Sequence, residues 1–176
     1  RKELSDIENI HERAIKTNDK TVGSYLDYLC KSYMFYPIQR YDIKGKKYLE
    51  SEKKYYLSDL SFRFSEIGTK YMDYGFLYEN LVALELMRRE YEVYVGKLYN
   101  KEIDFVVIKN GYKEYIQVCD DITNANTFER ETSPLLSIKD AYPKKLIART
   151  KREKSYYEGI EIIDIARWLN DSQNQN

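Results

Sequence analysis

The segment Ile103-Asp104-Phe105-Val106-Val107-Ile108 constrains the fold more than any other stretch of the chain. All but one of its residues are apolar, and most are β-branched. Such an almost wholly apolar run reads as a buried strand. Asn110-Gly111 follows, the dipeptide that best suits a two-residue hairpin turn, and Tyr112 to Cys119 then returns as the partner strand. Asp104 is the exception inside the run. A carboxylate there costs free energy unless it is ion-paired or binds a cation.

The flanking patterns build a mixed α/β sheet around this hairpin. Tyr78 to Glu90 reads as a helix, with Leu81, Val82, Ala83, Leu84 and Leu86 giving a wide apolar face. Glu92 to Val95 and Glu102 to Ile108 read as strands. A helix is expected from Asn126 to about Ile138, a strand over Lys144 to Ala148, another over Gly159 to Ile165, and a short closing helix over Arg167 to Asn170.

The first third has a different order. Ser5 is placed to cap a helix from Asp6 to Ala14, with Ile7, Ile10 and Ala14 at helical spacing. Thr21 caps a second, whose stripe of Val22, Tyr25, Leu26, Leu29, Cys30 and Tyr33 predicts a core-facing surface. A strand over 34–42, a basic turn around Gly45 and a return through Lys54-Tyr55-Tyr56-Leu57 complete a helix-helix-hairpin order, that of a winged helix. Lys44, Lys46 and Lys47 at the hairpin tip are placed to meet a phosphate backbone. A solvated hairpin tip is the plainer alternative.

Composition excludes several chemistries. With one histidine, His11, and two distant cysteines, Cys30 and Cys119, the chain lacks the ligand spacing of a structural zinc site. Histidine-based catalysis would have to rest on His11 in a polar stretch. No apolar run approaches a membrane span of about 20 residues, and no signal peptide opens the chain, so no membrane partner and a cytoplasmic location are expected. Basic and acidic residues balance at 29 each. Tyrosine supplies 19 of the aromatics, and without it the hydrophobic share would be thin for a core. Most tyrosines are therefore expected to be core or half-buried, with hydroxyls reaching water or a partner, and a stacking surface for nucleic acid is the alternative for some of them.

Across the Asn110-Gly111 turn, Asp104 and Gln117 come close enough to share one site, and Glu79 approaches from the preceding helix. Asp120 and Asp121 follow the hairpin as a polar strand exit, with a supplementary metal-ligand role as the alternative. Glu102 is expected on the face opposite Asp104. Asp104 has a structural alternative, an ion pair with Arg88, Arg89 or Lys97.

Helix glutamate, strand aspartate and an acid-x-lysine motif on the next strand form the metal site of the PD-(D/E)xK nucleases, which this constellation resembles. The resemblance implies a restriction-endonuclease-like sheet, with Glu79 and Asp104 as metal ligands and magnesium as the cofactor. Gln117 stands at the place of the second acid and offers only an uncharged carbonyl. Cys119 stands at the place of the lysine and supplies no cation. The implied catalytic site, Asp104, Gln117 and Glu79, is thus degenerate.

A wider resemblance rests on Tyr55-Tyr56-Leu57-Ser58-Asp59, Tyr78-Glu79-Asn80-Leu81-Val82, Glu85-Leu86-Met87-Arg88-Arg89, Tyr91-Glu92-Val93-Tyr94-Val95-Gly96, Lys101-Glu102-Ile103-Asp104-Phe105 and Tyr115-Ile116-Gln117-Val118. Together they resemble the carboxy-terminal region of prokaryotic AAA-type ATPases, where a P-loop module precedes a winged helix and a nuclease-like domain of unknown function. This implies a winged-helix-like segment over 1–66 and a nuclease-like domain over 67–176. It also implies an upstream ATPase domain of the same polypeptide as partner. No G-x-x-x-x-G-K-[ST] sequence occurs here, so ATP would bind only upstream. Arg1 in place of methionine reads accordingly as the start of a rear portion. The expected role is an accessory module binding DNA, RNA or a protein partner. The alternatives are an active magnesium-dependent nuclease and a homo-oligomerising interaction domain.

Overall fold

The computed structural model describes residues 19–69, 72–151 and 154–171. The helix expected over Asp6 to Ala14, and His11 with it, lie outside the described residues. A helix α1 (Asp19–Lys31) leads into the hairpin β1 (Phe35–Asp42) and β2 (Lys47–Leu57). Two helices follow, α2 (Ser61–Ile67) and α3 (Tyr74–Arg88), then the meander β3 (Glu92–Leu98), β4 (Lys101–Lys109) and β5 (Tyr112–Cys119). The chain continues through α4 (Ala125–Leu136), β6 (Lys144–Ala148), β7 (Ser155–Tyr157), β8 (Ile160–Asp164) and α5 (Ile165–Asn170).

All eight strands form one sheet, in the order β2-β1-β3-β4-β5-β6-β8-β7. The expected α/β class, a mixed sheet flanked by helices, is what forms. β1 runs parallel to β3, and β6 parallel to both β5 and β8, while the remaining pairs are antiparallel. Asn110 (φ 52°) and Gly111 (φ 80°) close the β4–β5 hairpin as their sequence demands. Side-chain oxygens cap three helices: Asp73 accepts from Phe76 N–H, Asn124 from Asn126 and Thr127, and Asp164 from Ala166 and Arg167.

The core lies in two layers. On one face Val82, Ala83 and Leu86 of α3, with Ile165 and Trp168 of α5, cover Phe105, Val107, Ile116 and Val118. On the other, Leu135 of α4 and Ile138 cover Ile103, Val106, Tyr115, Cys119 and Leu146. In β4 the alternation breaks once. Tyr94 pairs with Val106 and Gly96 with Ile103, which leaves Asp104 and Phe105 opposite Val95 alone. This bulge turns two consecutive side chains away from strict alternation, the usual way a sheet re-aims one residue.

The hairpin departs from a free-standing winged helix. β1 bonds to β3 through Arg40↔Val95, Tyr41↔Gly96 and Asp42↔Lys97, so the sheet runs across the boundary expected at residues 66/67. Ile38 and Tyr56 join one core layer, Tyr41 and Ile43 the other. Apolar side chains spent on the sheet are not available to α1. Its stripe, expected to be core, is half open: Val22 is 45% exposed, Tyr25 63% and Tyr33 73%, while Leu26, Leu29 and Cys30 are half-buried. The tyrosines divide in the same way. Tyr41, Tyr56 and Tyr115 are buried, whereas Tyr28, Tyr48, Tyr74, Tyr99, Tyr112, Tyr142, Tyr156 and Tyr157 are exposed. Tyr36, Tyr55, Tyr78, Tyr91 and Tyr94 are half-buried, and Tyr25 and Tyr33 are also exposed, so among the described residues the exposed tyrosines outnumber the core and half-buried ones, against expectation.

Candidate functional site

The bulge sets Asp104 at the centre of a charged cluster formed from α3, β2, β4, β5 and α4. Asp104 is almost fully buried. Its Oδ2 accepts from the Val118 backbone N–H at 2.8 Å, and its own N–H donates to Gln117 Oε1 at 3.3 Å. The hairpin thus brings Asp104 and Gln117 together, as their positions in the sequence require. The Gln117 amide turns the other way and donates to Glu131 Oε2 of α4 at 3.1 Å. Glu131 Oε1 in turn accepts from Arg130 at 2.8 and 2.9 Å.

Glu79 reaches the same centre from α3 and meets β2. The Tyr56 hydroxyl donates to Glu79 Oε1 at 2.5 Å, and Lys54 Nζ lies 2.6 Å from the same oxygen. Lys54 also bonds Glu102 Oε1 at 3.0 Å, while Arg40 bonds Glu102 Oε2 at 2.5 Å. Glu102 is therefore not turned away from the cluster. Residues two apart on a strand share a face, so Glu102 and Asp104 both look toward Lys54. The ion-pair alternative for Asp104 is corrected too. Arg88 and Arg89 both pair with Glu85, at 2.6 and 2.7 Å, and Arg89 stacks on Trp168 at 4.0 Å. Lys97 makes no ion pair with Asp104; its register partner is Glu102.

The electrostatics follow from burial and these neighbours. Burial first, then the Glu79 charge, raises the Asp104 carboxyl well above the ordinary carboxylate range, against the opposing pull of the Val118 N–H and Lys54. Burial alone would lower Lys54, but Glu79, Glu102 and Asp104 outweigh it and hold the ammonium charged beyond its usual range. Burial likewise works against Glu102, and Arg40 and Lys54 overcome it, keeping that carboxylate ionised. Tyr56 is held strongly protonated by burial and by Glu79. The Cys119 thiol is pushed up to about 12, by burial and then by Glu131 and Asp104, so it stays neutral at the position of the missing lysine.

Lys54, Tyr56 and Glu131 join the cluster without being expected from the sequence. Lys54 falls in the expected returning strand and Glu131 in the expected helix from Asn126 to about Ile138, with no role attached to either. A signal existed for each. Lys54 alternates with Tyr56 on a strand, which puts it on that tyrosine's buried face. Glu131 falls between Phe128 and Leu135 on the packed side of α4, where an acid needs a partner.

The donor set fits a divalent cation poorly. Glu79 Oε1 is already held by Lys54 and Tyr56, Asp104 Oδ2 by the Val118 N–H, and the Gln117 carbonyl by the Asp104 N–H. Among the described residues no group of three or more His, Cys, Asp or Glu side chains is arranged to hold a metal ion. The arrangement neutralises its own charge, with the Lys54 ammonium bridging Glu79 and Glu102 beside Asp104.

The other expected contact, the hairpin tip, is open. Lys44, Lys46 and Lys47 are exposed, and among the described residues none of them enters an ion pair. Lys44 Nζ lies 4.7 Å from the ring centre of Tyr99, on the neighbouring β3–β4 turn.

Comparison with known proteins gives two findings. Residues 3–72 match the family described as Domain of unknown function (DUF8612). An "Uncharacterized protein" of Haemophilus influenzae is 43% identical over 155 residues, covering 88% of this chain and 38% of that protein. The chain thus spans well under half the length of this relative. No solved structure matches the chain. Among the described residues no helix is long and apolar enough to cross a membrane.

Proposed function

We propose that the chain is a nuclease-like accessory module of a larger ATP-driven protein. It binds nucleic acid through the tip of its first hairpin and does not cleave it. The observation that carries this reading is Lys54, whose ammonium sits 2.6 Å from Glu79 and 3.0 Å from Glu102 within the cluster that also holds Asp104. An ammonium satisfies carboxylates with hydrogen bonds, but it coordinates no water and so generates no metal-bound hydroxide as a divalent cation does. Gln117 and Cys119 remove the negative charge and the cation that such a centre would need. The ATPase partner rests on the motif resemblance.

The test is a cleavage and binding assay on single-stranded and duplex DNA with magnesium or manganese. The expected result is salt-sensitive retention of the nucleic acid with no new ends, retention being weakened in a Lys44/Lys46/Lys47 triple alanine variant. Metal-dependent cleavage that Asp104→Ala abolishes would overturn the non-cleaving part. Retention that ignores both salt and the three lysines would overturn the binding part.

A further inference from the structure

Two turns project from the same end of the sheet. β1 and β3 are parallel neighbours, so the β1–β2 turn, with Lys44 and Lys46, stands beside the β3–β4 turn, with Tyr99. Between them runs a groove of about 540 Å³ lined by Asp42, Lys44, Lys47, Leu49, Lys97 and Tyr99. Its cations come from both walls. Among the described residues Lys44, Lys46, Lys47 and Lys97 make no ion pair.

Tyr99 gives the groove its character. It is 65% exposed at a turn tip, where its φ of 56° holds the backbone in the left-handed region. A large aromatic ring kept in solvent gains nothing from burial there. One side of the ring is approached by the Lys44 ammonium. Leu49 adds an apolar wall beside the lysines. Lysines interleaved with an exposed aromatic ring are the chemistry that holds a single strand, phosphates on the cations and a base on the ring. A duplex offers its phosphates but keeps its base faces stacked inside, so it can use the lysines and not Tyr99. Lys97, at the edge of the groove, is the register partner of Glu102, which bonds Lys54.

We infer that the cleft between the two turns is a single-strand nucleic-acid site, with Lys44, Lys46, Lys47 and Lys97 on consecutive phosphates and Tyr99 stacked on one base. This rests on the reading of the hairpin tip as a nucleic-acid contact and adds the strandedness and the stacking residue.

The test is fluorescence anisotropy with a labelled short oligothymidylate and a duplex of the same length, over a range of salt. Tyr99→Asn removes the ring while keeping a residue that tolerates the left-handed turn, and Tyr99→Trp keeps a stacking surface. Four lysine–phosphate contacts at about 0.7 each predict a slope of log K against log salt near −3 for the single strand, falling to about −1 in the Lys44/Lys46/Lys47 triple alanine variant. Tyr99→Asn is expected to weaken oligothymidylate binding roughly tenfold to a hundredfold, to leave duplex binding unchanged, and to be rescued by Tyr99→Trp. If Tyr99→Asn binds as wild type while the lysine variant is weakened, the hairpin contact stands and the stacking site is overturned. Tighter binding of the duplex than of the single strand would overturn the strandedness. No salt-dependent binding by wild type would remove both.

Discussion

Asp104 shows how one residue sets the terms for its surroundings. It is nearly sealed from water, accepts one backbone hydrogen bond and faces Glu79, so its neutral form is favoured in the folded chain. An acid whose folded pKa lies above its unfolded value of about 3.9 contributes stability that is complete below that value. That contribution is lost as pH rises through the folded value. Asp104→Asn keeps an oxygen for the Val118 N–H and removes the titration. Thermal denaturation against pH should therefore show the variant melting roughly 3–5 °C above wild type at neutral pH, with the difference closing below about pH 4. A variant less stable than wild type at neutral pH would mean that the carboxylate is ionised and favourably paired. Asp104 and its closeness to Gln117 were legible in the sequence, because an acid in an apolar strand beside an Asn-Gly hairpin admits few placements. Lys54 was not, because its partners come from α3 and β4 and only the assembled sheet brings them together. Glu102 was misplaced for a simpler reason: two positions along one strand share a face.

At the scale of elements, β3 decides where the first hairpin goes. Gly96 is the register partner of both Tyr41 and Ile103. A Cβ there would lie 2.8 Å from Ile103 Cβ, 2.9 Å from Val106 Cγ2 and 3.0 Å from Ile43 Cδ1. These atoms belong to a packed core and cannot all retreat. Gly96→Ala should cost about 1–3 kcal/mol, read as a lower denaturant midpoint in chemical unfolding. An unchanged midpoint would show that the hairpin does not pack on β3 as described. Strands with strong local signals were legible here, Lys144–Ala148 and the β4–β5 hairpin above all. The short α2 and β7 were not, since neither is long enough to show a period. The α1 stripe was read as core because periodicity reports amphipathicity and not what covers the apolar side.

On the scale of the whole molecule, one sheet joins two parts that the sequence separates. The hairpin lends β2 to the charged centre, and the same hairpin presents Lys44, Lys46 and Lys47 at its tip. A winged helix packed on itself would have left Glu79, Glu102 and Asp104 without Lys54. The mixed sheet, the helices on its faces and the placement of Glu79, Asp104 and Gln117 could be drawn from the sequence. The internal cation could not, and it separates a centre that neutralises itself from one that recruits a metal. The most direct test of that distinction is a calorimetric titration of the chain with manganese at neutral pH. A centre already neutralised by Lys54 predicts no saturable binding, and no difference between wild type and Asp104→Ala. One-to-one binding that Asp104→Ala removes would contradict it, because Lys54 would then be yielding its carboxylates to the ion.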